Sequence, residues 1–346
     1  MRLISRLALV GALSLQCASQ HSVQAGERAD LQAMCWSPSA LANRASEIAP
    51  RSGIAAARVS QPRQQLAAFN ELPDGLRGVI RRVNVNDGRK LVALTFDLCE
   101  QSHEVSGYDG RVVDVLRKLK VRATFFASGK WLLTHDERTA QLMTDPLFEI
   151  ANHSWSHRNL KRLSGGQLQR QILSAQRAYE VARQKLGQRA CIKQSPEKLA
   201  SVPQRMGLFR YPFGTCRPEA IKAVNDNGLL AVQWDISTGD PWRGQSAKAI
   251  VRTVMSRVRP GSIVVAHANG RGWNTASALP VLIKRLRLEG YELVTVSELL
   301  AAGVPEIVKS CYNERIGDTD LWAQAGTRAG ARKKRARRSK KVRRRK

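Results

Sequence analysis

The chain is poor in acidic residues: 28 Asp and Glu stand against 57 Lys and Arg, a net charge of +29 at neutral pH. A balance of that sign excludes polycations as partners and favours polyanions. Beyond the first 25 residues no run is long and apolar enough to cross a bilayer, which excludes a membrane-spanning bundle. No G-x-G-x-x-G follows a candidate strand and there is no P-loop, so a nucleotide site has no support. There is no internal repeat. HSWSH (153–157) has Ser154 where the zincin motif H-E-x-x-H has its glutamate, which excludes that protease class. Cysteine is scarce. Past the leader only Cys35, Cys99, Cys191, Cys216 and Cys311 remain, an odd set, so at least one stays free or pairs between chains.

What is present begins with an export pattern. Arg2 and Arg6 precede the apolar run Leu7 to Leu15, and Val23-Gln24-Ala25 offers small residues for cleavage. Gln16 is a poor neighbour for lipidation of Cys17. The expectation is a signal peptide over 1–25 and a periplasmic or secreted, envelope-associated protein. Its cysteines could then oxidise, with Cys35 and Cys311 as a clasp between the two ends of the domain. Residues 328–346 hold thirteen Lys or Arg and no acid. This solvated basic tail could hold the protein against anionic envelope polymers or lipids. Nucleic acid is disfavoured, because the tail lacks interleaved aromatics and the chain carries an export signal.

Residues 26–87 have weak periodicity and read as a leader packed on the domain. From 88 to 302 short apolar runs alternate with amphipathic stretches, and 303–327 is an extension before the tail. The runs are LVALTF (91–96), VRATFFAS (121–128), LFEIAN (147–152), MGLFRY (206–211), LLAVQWDI (229–236), SIVVAH (262–267) and YELVTV (291–296). Helical patterns lie at 112–120, 167–186, 249–258 and 278–290. Seven such strands alternating with helices predict a parallel α/β fold covered on both faces. Asp97, His153, Arg210, Tyr211, Asp235, Asp240 and His267 lie at or just past strand C-termini. A barrel gathers those ends at one mouth, so a (β/α) barrel is favoured over an open sheet.

At such a mouth His153 and His157, at i,i+4 on one helical turn, could aim two imidazoles at a metal. Asp97 could serve as a base, held ionised by a bidentate contact from Arg210. His267 could be a general acid, with Asp240 or Asp235 raising its pKa. A metal, a base and an acid at one mouth make a hydrolysis site.

TFD (95–97), HSWSH (153–157), RYPFG (210–214), the WDISTGDPW region (234–242) and VVAH (264–267) resemble, in order and spacing, the polysaccharide deacetylases. This is the NodB-homology group, carbohydrate esterase family 4. The resemblance covers about 90–300. It implies a distorted (β/α) barrel, often of seven strands, a divalent metal, usually zinc, and removal of N-acetyl groups from an amino-sugar polysaccharide. Carried over, Asp97 is the base, with metal and Asp97 activating water. His153 and His157 are metal ligands, and Arg210 orients the base. The Tyr211 N–H helps to form the oxyanion hole. Asp240 tunes the acid, with Asp235 as fallback, and His267 protonates the leaving amine. Trp242 lines the acetyl pocket.

One departure matters. The family usually has TFDD, whose second Asp is the third metal ligand, and here the chain reads TFDLCE. Leu98 cannot ligate. Glu100, Asp97 itself or a water could fill the gap, with Glu100 favoured for its longer side chain, while a free Cys99 thiol is disfavoured in an oxidising compartment. Asp109 in GYDG reads as an N-cap. The alternative is a non-catalytic carbohydrate-binding or scaffold protein of the same fold with a degraded metal site.

Overall fold

A computed structural model describes residue 28 and residues 31–52, 60–62 and 71–311. The signal peptide, the basic tail and most of the extension at 303–327 lie outside the described residues.

Nine strands and eight helices carry the architecture. The strands are β1 (Val79–Val85), β2 (Lys90–Leu98), β3 (Ala123–Ala127), β4 (Phe148–Asn152), β5 (Leu208–Phe209), β6 (Leu230–Val232), β7 (Ser262–His267), β8 (Tyr291–Val294) and β9 (Gly303–Val308). The helices are α1 (Gly110–Lys118), α2 (Gly129–Thr134), α3 (Asp136–Thr144), α4 (Gly165–Gly187), α5 (Pro218–Asp226), α6 (Ala247–Met255), α7 (Thr275–Leu288) and α8 (Val296–Ala301). The strands β2-β3-β4-β5-β6-β1 pair in parallel, β7 pairs in parallel with β2, and one antiparallel bridge, Ser262 with Arg82, closes β7 onto β1. The result is a closed, mixed, distorted barrel of seven strands with helices outside.

The seventh member differs from the sequence-based set. YELVTV was read as a barrel strand. In the structure β8 pairs with residues 90–93 of β2, the half of that strand below the stretch that pairs with β3. The closing place goes to β1, in the region read as leader. Its sequence, VIRRVNV, hides the strand because Arg81 is polar yet buried, donating to the Trp234 carbonyl. The antiparallel strand β9 then covers β1.

Strand alternation explains both the apolar runs and the site. From residue 91 every position of β2 is buried. Val92, Leu94, Phe96 and Leu98 pack among helix residues such as Val113 and Trp131. Leu91 and Ala93 face the barrel interior with Phe126, Ala151, Val232 and Val265. Successive side chains point to opposite faces, so the inward series continues through Thr95 and Asp97 to Cys99 at the mouth. Asp109 caps α1, accepting the Arg111 N–H at 3.2 Å.

Two disulfides tie outer segments to this frame, Cys35–Cys191 and Cys216–Cys311, and Cys99 is a buried free thiol. The Cys35–Cys311 clasp is therefore incorrect. Cys35 instead meets the segment that follows α4, and Cys311 holds the RYPFG loop to the end of β9. The bridges span 156 and 95 residues, and closing loops of that size restrains the unfolded chain by about 5 kcal/mol each in the entropic account.

Candidate active site

The barrel mouth is built from strand ends. Asp97, next to last in β2, is buried and accepts from Arg210 Nη1 at 2.8 Å. Arg210 follows β5 and is fully buried. It also donates to Thr95 Oγ1 at 2.8 Å and to the Gln233 carbonyl at 3.2 Å, while its guanidinium lies 3.8 Å over the Phe126 ring. Each group that could compete for this cation has a fixed place, so the guanidinium presents one N–H to the carboxylate. The contact is single, not the bidentate fork anticipated from sequence. Burial opposes the charge on Asp97, but Arg210, with His153 and His267, outweighs it and holds the carboxyl below its ordinary range.

His153 follows β4. Its Nδ1 lies 3.0 Å from the Arg210 carbonyl, so Nδ1–H donates there and Nε2 faces the mouth, 3.6 Å from Asp97 Oδ2. HSWSH is not a helical turn. It is a tight loop in which Ser154 and His157 both have positive φ, 63° and 50°, a conformation non-glycine residues adopt rarely. The loop is held because the Ser154 and Trp155 carbonyls accept the N–H groups of Gly129 and Lys130 at 2.9 Å. Glycine is required at 129, where a Cβ would stand 2.6 Å from the Ala175 Cα of α4. The loop brings the two imidazoles to 4.9 Å between centroids, and the half-exposed Phe213 ring closes over His157 at 4.5 Å. His157 Nδ1 is buried without a hydrogen-bond partner among the described residues.

On the facing wall His267 ends β7. Its Nδ1 lies 2.9 Å from Asp240 Oδ1, and its backbone N–H donates to Asp240 Oδ2 at 2.7 Å. Thr238 and Thr275 hydroxyls complete the carboxylate at 3.0 and 2.5 Å. Burial disfavours the imidazolium, yet Asp240 overrides it and raises His267 well above its ordinary value. Asp235 is elsewhere: it accepts from Ser262 Oγ and the Ile263 N–H, both at 2.8 Å, and anchors the start of β7. Tyr211 is buried with its hydroxyl on the Ala220 carbonyl at 3.3 Å, so its ring faces away from the mouth and only its backbone adjoins Arg210. Trp242 packs on Gly244, two residues past Asp240.

Glu100 is not with the imidazoles. After β2 the chain turns. Its carboxylate enters a separate buried site, where it takes the Ser106 N–H at 3.1 Å and the Thr134 hydroxyl at 2.9 Å, with Lys130 Nζ at 3.4 Å. The residue that joins His153 and His157 is Cys99. Donor atoms of these three lie within 4.8 Å of one another, as do those of Asp97, Cys99 and His267. The Cys99 Sγ is 3.5 Å from His153 Nε2. Burial works against the thiolate, but His157 and His153 reverse the balance and hold the thiol well below its ordinary value. The signal was available in sequence: alternation along a strand puts residues 97 and 99 on one face.

The family model for polysaccharide deacetylase matches residues 84–232. A chitooligosaccharide deacetylase of Rhizobium leguminosarum bv. phaseoli is 32% identical over 180 residues, covering 52% of this chain and 69% of that protein. The chain belongs to the polysaccharide deacetylase family. It is, by family, a hydrolase of the deacetylase class. A second relative, the peptidoglycan-N-acetylmuramic acid deacetylase PdaC of Bacillus subtilis, is 30% identical over 215 residues, 62% of this deacetylase-family chain. This chain spans only 40% of PdaC's length. Among solved structures, a CE4 family pseudoenzyme from Bacillus anthracis superposes with a TM-score of 0.52 at 28% identity, covering 65% of this chain and 69% of that one. A mutant of that pseudoenzyme has restored enzymatic activity.

Proposed function

We propose that this chain hydrolyses N-acetyl groups from an amino-sugar polysaccharide or oligosaccharide outside the cytoplasm. The observation that carries the reading is the convergence of two oriented pairs. Asp97 with Arg210 and His267 with Asp240 come from different strands and meet around one point, with donor atoms of Asp97 and His267 within 4.8 Å of the same thiol. Relatives named as chitooligosaccharide and peptidoglycan deacetylases support the substrate class. Two disulfides support an oxidising compartment, and no helix among the described residues is long and apolar enough to cross a membrane.

The residues fit a divalent cation, zinc by donor chemistry. His153 has its outer nitrogen engaged and its inner one turned to the mouth, the arrangement usual for a ligating histidine. His157 has an orphaned buried nitrogen. His153 and His157 would hold the ion, which supplies Lewis-acid polarisation and lowers the pKa of water. Asp97, kept anionic by Arg210, accepts the proton of the attacking water. The Tyr211 N–H is the candidate donor to the developing oxyanion. His267, its Nδ1 engaged by Asp240, gives a proton from Nε2 to the departing nitrogen, which leaves acetate and a free amine. Acid–base positioning of this kind contributes roughly 10²–10⁴-fold.

A specific observation favours a second reading, a non-catalytic carbohydrate-binding protein. Leu98 takes the place of the family's usual second acid and is buried among helix residues, and a structural neighbour is a pseudoenzyme. Acetate release from N-acetylated chito-oligosaccharide and from peptidoglycan, with and without added zinc, separates the two. Zinc-dependent release that Asp97→Asn abolishes supports catalysis. No release from any substrate in zinc-loaded, folded protein supports binding alone.

A further inference from the structure

Cys99 is clamped through the backbone on both of its sides. The carbonyl before it, on Leu98, accepts the Ser128 N–H at 3.1 Å. Its own carbonyl accepts from Asn269 Nδ2 at 3.0 Å, and the following N–H, on Glu100, donates to Ser128 Oγ at 3.0 Å. Loops after β3 and β7 thus clamp the backbone on either side, and inward strand parity fixes the direction of the side chain. Cys99 is 6% exposed, and the other four cysteines among the described residues are consumed by disulfides. Among the described residues it therefore has no sulfur partner, which answers the objection that an oxidising compartment would take it.

The Sγ sits within 4.8 Å of donor nitrogens of both His153 and His157. One sulfur and two imidazoles leave a fourth position open, which is the stoichiometry of a catalytic zinc site with three protein ligands. Sulfur selects Zn²⁺ or Co²⁺ over Mg²⁺, Ca²⁺ or Mn²⁺. Among the described residues the carboxylate grouped with this thiol is Asp97, whose Oδ1 is engaged by Arg210. We propose that Cys99 is the third protein ligand, forming a Cys-His-His centre in which sulfur does the work of the acid missing at Leu98. The assignment rests on the deacetylase reading for the presence of a cation. For the identity of the third donor it rests on this chain's geometry alone.

The test uses the full chain with Cys17→Ser, without reductant, so that both disulfides persist and Cys99 is the single free thiol. The protein is stripped with chelator and titrated with Co²⁺. The expected result is one equivalent bound, with thiolate-to-cobalt charge-transfer absorption in the near ultraviolet. Cys99→Ser should lose that band, and its zinc affinity should fall at least about tenfold. Cys99→Asp should bind one equivalent without the band, which also shows that the site folds. Should Cys99→Ser fail to fold, zinc protection of wild-type Cys99 from iodoacetamide replaces it. Cobalt bound at one equivalent without the band would overturn the assignment. So would unchanged zinc affinity in Cys99→Ser, or an acetyl thioester trapped on Cys99, which would make the thiol a nucleophile. The band and acetate release report separately. A band with no acetate leaves the ligand and sinks the deacetylase, and acetate without the band does the reverse.

Discussion

Asp240 holds His267 twice, taking the imidazole N–H through Oδ1 at 2.9 Å and the backbone N–H through Oδ2 at 2.7 Å. Ring and main chain are thereby fixed to one carboxylate, so the tautomer and the direction of Nε2 are set before any substrate arrives. Asn in place of Asp240 keeps the shape, but its amide cannot accept at both positions. Asp240→Asn should lower kcat by about 10²-fold or more and leave KM within a few-fold of wild type. Steady-state kinetics on a chito-oligosaccharide check this. An unchanged kcat would remove the pair from the reaction.

The Asp97–Arg210 contact makes a different prediction, on stability. Both groups are buried, and removing one partner strands the other charge at a cost of about 3–5 kcal/mol. Arg210→Met should be destabilised by that order in urea titration. Adding Asp97→Asn to it should recover a substantial part, because an amide needs no counter-charge. Equal stability of the single and double variants would show that the loss comes from the guanidinium's packing on Phe126 and its other hydrogen bonds, with the carboxylate contributing nothing.

Much of the barrel was legible because strands buried on both faces become apolar runs, and because reactive groups stood at their C-terminal ends. What failed to show has physical causes. β1 was hidden by Arg81, whose charge is met by carbonyls inside the fold. β8 has the composition of a barrel strand but pairs below the closure, a matter of register that composition does not carry. Disulfide partners depend on distances in space. In the site, Asp97 and His153 are placed by strand ends. His157 is placed by two left-handed residues that no periodicity announces. Cys99 was passed over on grounds of redox compartment, although its parity with Asp97 was readable.

Glu100 follows from that last point. Its carboxylate is satisfied by Ser106, Thr134 and Lys130, away from both imidazoles. Glu100→Ala should therefore leave metal content unchanged by elemental analysis. It should still lower stability by about 1–3 kcal/mol, since the Lys130 ammonium and the Ser106 N–H lose a buried partner. A fall in metal content at full foldedness would return Glu100 to the ligand set.

His135, beside the same carboxylate, predicts how stability changes with pH. Its ring stacks on Trp131 at 4.6 Å, its Nδ1 meets Thr134 Oγ1 at 3.0 Å, and burial lowers its pKa to about 4. In the unfolded chain the same imidazole titrates near 6.5. Between those values the unfolded state binds the proton and the folded state does not. The contribution is therefore complete above about pH 6.5 and is lost as pH falls toward 4. Glu100, whose carboxyl burial pushes up, works in the opposite sense, so the histidine must be isolated by substitution. His135→Phe keeps a flat ring against Trp131 and removes the titration. Between pH 7 and pH 5 the wild type should lose about 2 kcal/mol more in urea unfolding than His135→Phe does. Parallel pH profiles for the two proteins would mean that the imidazole titrates alike in the folded and unfolded chain, and a wild type that gains stability on acidification relative to His135→Phe would mean that it is held protonated beside Glu100 as an ion pair.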